Sequence, residues 1–183
     1  SLSGAAKGSL FHRLAGRDDG SDCARLIEEA AKEAKVHLLP EEEIQLTNWL
    51  GFLRAHRFTG PVRHELTFDW ERAGVRWTGS IDVAEAGDPP RIYDFEADYA
   101  LQMQFYALAY RALTGVVPEA VLWWMPENLQ VFTDVSPEAL SRLEAEIAAF
   151  TEYVQHHTLP AAYPCAPDCT NSCALAGVCR LLP

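Results

Sequence analysis

Between Arg57 and Val62 the hydrophobic pattern of the chain changes period, and that change rules out both an all-helical and an all-β fold. Upstream, apolar residues recur at helical spacing. Gly8-Ser9-Leu10-Phe11-His12-Arg13-Leu14 reads as a short helix broken by Gly16 and Asp18-Asp19-Gly20. Ser21 or Asp22 can cap a second helix from Cys23 to about Lys35, and Pro40 suits the first turn of a third that ends near Arg57. Downstream, Glu65–Trp70 and Val75–Val83 alternate or carry β-branched and aromatic residues around Ala73-Gly74, as a hairpin does. Arg91–Glu96 reads as a third strand, and Asp98 can cap an apolar helix from Tyr99 to about Thr114. Val121–Met125 and Leu129–Phe132 supply two more strands. Ser136-Pro137-Glu138 then opens a long helix to about His157.

Composition narrows the class further. With 183 residues, 49% of them hydrophobic and 22% charged, the chain has enough apolar material for one soluble domain. No uncharged apolar run approaches the roughly 18–20 residues of a membrane span, and Ser1–Lys7 lacks the apolar block of a signal peptide, so the expected compartment is the cytoplasm, with no membrane partner. Fifteen basic against 26 acidic residues leave a net charge of −11, which argues against indiscriminate coating of nucleic acid. Any polyanion must be met by local positive charge, by metal or by another domain. Of five cysteines, Cys165, Cys169, Cys173 and Cys179 crowd the end of the chain in a CxxxCxxxCxxxxxC pattern that fits metal or cluster binding better than a disulfide framework.

Two carboxylates carry the chemical argument. Asp82 and Asp94 end neighbouring strand candidates in runs otherwise suited to burial. A buried, unpaired carboxylate costs several kcal/mol or neutralises itself by a pKa shift, so two at strand ends ask for a shared cation. Hard divalent ions such as Mg²⁺ or Mn²⁺ suit oxygen ligands. The alternative is that Asp82 opens a turn and Asp94 pairs with an arginine.

The order of these pieces resembles the RecB-like branch of the PD-(D/E)XK nucleases. The pieces are Gly8 to His12, Glu65 in the first strand, Gly79-Ser80-Ile81-Asp82, Asp94-Phe95-Glu96, and Gln102 to Tyr106. The resemblance implies a restriction-endonuclease-like α/β core, a central mixed sheet flanked by helices. Residues 1–160 would form the nuclease-like domain, helical at 9–57 with the sheet from 62, and 161–183 a Cys-rich tail. It also implies a metal-dependent deoxyribonuclease of DNA repair or recombination, an exonuclease on single strands or ends, alone or with a helicase subunit. His12, Asp82 and Asp94 would hold Mg²⁺ or Mn²⁺, and Asp82, Asp94, Glu96, Gln102 and Tyr106 would form the catalytic set. Cys165, Cys169, Cys173 and Cys179 would hold a structural 4Fe-4S cluster, with zinc as the alternative, and Cys23 would be a buried helical thiol or, as the alternative, a cluster ligand in place of Cys165.

The chain departs from the family pattern at Glu96, which stands where a lysine would orient the attacking water. Either Glu96 serves as a further ligand or base, or a lysine-bearing loop between Asp94 and Gln102 is missing from the chain as given. A catalytically inactive nuclease-like domain that binds DNA or braces a complex is the rival expectation. Arg54, Arg57, Arg63, Arg72 and Arg76 are candidate DNA contacts. Trp70, Trp77, Trp123 and Trp124 are candidate stacking groups, with the core as the expected place for most of them.

Overall fold

The computed structural model describes residues 2–72, 74–95 and 100–156. The chain divides into two compact units, Ser1–Leu143 and Glu144–Pro183, and the sheet belongs to the first. Three helices come first: α1 (Gly4–Arg17), α2 (Cys23–Ala34) and α3 (Pro40–Ala55). A sheet hairpin follows, β1 (Val62–Arg72) and β2 (Val75–Glu85), and then β3 (Arg91–Asp94), α4 (Ala100–Thr114), β4 (Glu119–Trp124), a single 3-10 turn (Met125–Glu127), β5 (Leu129–Thr133) and α5 (Pro137–His156).

The helix starts follow their caps. Asp22 accepts from the Ala24 amide at the head of α2, and Pro40 opens α3 as expected. α1 is longer than its hydrophobic run suggests, because the Ser3 hydroxyl accepts from Ala6 and starts the helix at Gly4. The three helices share one core: Leu10, Phe11 and Leu14 of α1, Leu26 and Ile27 of α2, and Leu46, Leu50 and Leu53 of α3. That core closes on Val83, Tyr93, Phe95, Val121 and Trp123.

The five strands lie in chain order, antiparallel except for the β3–β4 pair. A parallel pair needs a crossover, and α4 is that crossover. The expected mixed sheet flanked by helices is present. Two strand ends differ from expectation. β2 continues through Glu85, so Asp82 lies inside the strand rather than at its end. β3 stops at Asp94 because the Phe95 amide donates to the Asp82 carboxylate, at 3.0 Å, instead of to a neighbouring strand. Glu96, Asp98 and Tyr99 lie outside the described residues, as does the cysteine-bearing tail.

A second carboxylate ties the start of the sheet to the helical layer. Glu85, 2% exposed, accepts from the Thr59 amide and hydroxyl, the Gly60 amide and the Tyr93 hydroxyl. Burial disfavours its charge, but these donors prevail and hold the carboxyl below the usual range.

α4 packs on β1 and β2 through aromatic rings. Phe105 meets Phe68, Trp70 and Trp77 at centroid distances of 5.3–5.9 Å, and Tyr106 also meets Phe68. Gly79, the β1–β2 partner of Phe68, makes room for that ring: a Cβ there would lie 2.5 Å from its tip. Phe68 is buried, so the ring has nowhere to go. Gly79→Ala is therefore expected to destabilise the protein by about 1–3 kcal/mol in urea unfolding. Gly51→Ala, in α3 with open space around it, should be neutral or stabilising by up to about 1 kcal/mol. Equal effects at the two sites would contradict the close-approach argument.

Candidate metal centre

The register of the sheet sets up the site. Glu65 and Asp82 face each other at the one position where the β1–β2 ladder skips a pair, between His64↔Val83 and Leu66↔Ile81. One step beyond the Val83↔Tyr93 pair, Asp82 faces Asp94. Glu65, Asp82 and Asp94 thus form a row of carboxylates across three strands. Asp82 and Asp94 are 8% and 3% exposed, so their charge is not diluted by solvent.

α1 brings the counter-charge. Leu10, Phe11, Leu14 and Ala15 anchor it in the core, and this sets His12 at the helix edge. The His12 Nδ1 lies 3.2 Å from Asp82 Oδ1 and 3.5 Å from Glu65 Oε1, and its ring packs edge-on against Phe95. Burial alone would lower the His12 pKa. The hydrogen bond to Asp82 and the charges of Asp82, Glu65 and Asp94 outweigh it and push the pKa up to about 9.

Glu65 is held in an unusual backbone conformation. Its φ of 50° lies in the left-handed region, costly for a residue with a Cβ. The Ser80 hydroxyl donates to its Oε2 at 2.9 Å, leaving Oε1 for His12. Asp94 is fixed from another direction: the Gln102 amide donates to Asp94 Oδ2 at 3.2 Å and to the Tyr106 hydroxyl at 2.8 Å. Gln102 and Tyr106 share a face of α4, one turn apart, as their spacing requires. Gln104 faces elsewhere and donates to the Asp134 carbonyl.

The donor set fits a divalent ion. One imidazole nitrogen and two carboxylate oxygens, from His12, Glu65 and Asp82, all lie within 4.8 Å of one another. Ligands bonded at about 2.1 Å around an octahedral ion stand roughly 3–4 Å apart, so the 3.2 and 3.5 Å separations need little adjustment. Binding through His12 would release its proton.

Sequence reasoning placed His12, Asp82 and Asp94 together, and the structure brings His12 and Asp82 into direct contact with Asp94 beside them. It assigned Glu65 to the motif but not to the ligand set. The signal that could have found it was its register opposite Asp82. Two of the proposed DNA contacts are already engaged: Arg54 forks onto Asp18, and Arg76 pairs with Asp69. Arg72 lies over the Trp70 ring. Cys23 is not the buried thiol expected: it is half-buried at the start of α2, where Arg54 donates to its Sγ at 3.0 Å. Trp123 is core as expected, whereas Trp70, Trp77 and Trp124 are only partly buried.

No family model matches the chain, and no curated protein matches its sequence. Its fold is similar to the crystal structure of a candidate exonuclease from Eubacterium rectale, with a TM-score of 0.56 over 85% of this chain and 70% of that one. Identity is 11%, so the likeness is one of fold. Among the described residues, no helix is long and apolar enough to cross a membrane.

Two measurements check this geometry. Glu65→Gly should be more stable than Glu65→Ala by about 1 kcal/mol, since glycine adopts the left-handed conformation freely. Both variants should lose Mn²⁺ affinity in calorimetry, and equal stabilities would remove the strain argument. In metal-free buffer, the His12 pKa is higher folded than unfolded. The stability lost in His12→Gln should therefore be full below pH 6.5 and fade as pH rises through about 9. A pH-independent difference would show that the imidazolium is not held by the carboxylates.

Proposed function

We propose that the chain is a divalent-metal-dependent DNA nuclease of the RecB-like PD-(D/E)XK type, acting as an exonuclease on ends or single strands in repair or recombination, alone or beside a helicase subunit. The observation that carries the proposal is the convergence of His12, Glu65 and Asp82 from three elements, with the buried Asp94 next in the row. The fold likeness to a candidate exonuclease supports it.

His12, Glu65 and Asp82 would hold Mg²⁺ or Mn²⁺, and the imidazole favours manganese. The ion would supply charge to offset the scissile phosphate and acidity to the attacking water. The residues do the rest. Ser80 and the Phe95 amide each occupy one carboxylate oxygen, of Glu65 and Asp82 respectively, and so orient the other. Gln102 fixes Asp94 against Tyr106, so that the Asp94 carboxylate points at one place. Glu96, two residues on, is proposed as a further ligand or base in place of the family's lysine.

The tail is proposed to hold a structural 4Fe-4S cluster through Cys165, Cys169, Cys173 and Cys179. What supports this is their spacing, and iron analysis against zinc separates the alternatives. A second reading, a nuclease-like domain that binds DNA without cutting it, is favoured by one observation, the absence of lysine at position 96.

Nucleotide release from single-stranded and duplex DNA with Mn²⁺ or Mg²⁺ tests the proposal. Wild-type protein should cut and EDTA should stop it, and Asp82→Asn and Asp94→Asn should each cost more than about 100-fold. If the full-length, cluster-loaded protein binds Mn²⁺ but releases nothing, the second reading replaces the first.

A further inference from the structure

We infer that the groove running from the carboxylate row between α4 and the first two strands seats a single-stranded polynucleotide, with Arg63 on a phosphate and Tyr110 against a base. The inference rests on the nuclease reading and deepens it by giving the strand a path.

Two periodicities lead from the metal centre toward a cavity whose lining includes none of His12, Glu65, Asp82 and Asp94. On β2, Asp82 and Ala84 alternate to one side, with Val83 turned into the core, and Ala86 follows just past the strand's end. On α4, Gln102, Tyr106 and Tyr110 recur every four residues, so one stripe of the helix leads from Asp94 into the groove. The cavity of about 400 Å³ is lined by Pro61, Arg63, Ala84, Ala86, Tyr110 and Leu113, among others. Arg63 pairs with Ala84 in the ladder and lies two residues, or about 7 Å of strand, from Glu65. A strand with one phosphate at the carboxylate row therefore brings its neighbour within reach of the guanidinium.

Charge and lining chemistry select the occupant. Among the described residues, Arg54, Arg76 and Arg91 are neutralised by Asp18, Asp69 and Glu119, whereas Arg63 has no ion-pair or hydrogen-bond partner. In a chain of net charge −11, an unpaired guanidinium lining a cavity beside a cluster of acids matches a phosphate. The exposed Ala86 and Leu113 and the partly exposed Tyr110 leave apolar surface for bases and sugars. The lining holds no Asn, Gln, Asp or Glu, and its polar side chains are Arg63, Thr67, Tyr110 and Thr114.

The experiment is anisotropy of a labelled oligothymidylate of about 12 nucleotides, with Ca²⁺ replacing the catalytic metal, on the full chain. Arg63→Gln is expected to weaken binding about 5- to 10-fold and lower the salt slope by about 1, while Arg63→Lys keeps most of the affinity. Ala86→Trp, which fills the groove from an exposed position, should weaken binding as well, and Lys32→Gln on α2 should not. Both groove variants should bind Mn²⁺ like wild type in calorimetry. If Arg63→Gln and Ala86→Trp bind the oligonucleotide as tightly as wild type, the groove is not the strand path, whatever the nuclease assay shows. If wild type takes up no Mn²⁺, the nuclease reading falls and takes this inference with it.

Discussion

Three carboxylates in one row across a sheet repel one another, and the structure around them is arranged to contain that repulsion. Two of the three are nearly buried, so the screening that makes surface charges cheap is missing. The answer is a histidine carried in by the first helix of the chain, together with donors from Ser80, Gln102 and the Phe95 amide. Each partner takes a different oxygen. Without the anchoring of α1 by Leu10, Phe11 and Leu14, the imidazole would not reach the row.

The same carboxylates explain irregularities elsewhere. β3 ends early because the Phe95 amide serves Asp82. Glu65 leaves the extended conformation, and the ladder skips a pair there, which turns one carboxylate oxygen toward His12 and the other toward Ser80. Strand regularity is given up at the two places where an acid needs a fixed direction. The neighbouring aromatic layer is regular by contrast: Phe68 over Gly79, with Phe105 wedged among Phe68, Trp70 and Trp77, locks α4 to the hairpin and so locks Gln102 beside Asp94.

Much of this was legible in the sequence. Period and caps located the helices and strands within a few residues, because Asp22, Pro40 and the alternation from Val62 act locally. His12, Asp82, Gln102 and Tyr106 were legible through their order along the chain. The placement of Glu65 beside His12 and Asp82 was not, since a left-handed residue inside a strand leaves no trace in an alternation pattern. The state of Arg54, Arg76 and Cys23 was equally hidden: each depends on a partner placed by tertiary packing, and spacing along the chain says nothing of Asp18 lying against α3. The early stop of β3 was invisible for the same reason.

The proposed ligand set would also couple folding to the ionic surroundings. Glu65 and Asp82 belong to one hairpin and meet as soon as it closes, but His12 arrives only when the helical layer has docked. An unfolded chain therefore has no site, and an ion that binds here binds the native state alone. By mass action, free ion at about 100 times its dissociation constant would add about 2.7 kcal/mol to the stability of the fold. The acids that repel one another across the sheet would then become its cross-brace, and the melting temperature would report the local supply of divalent cations.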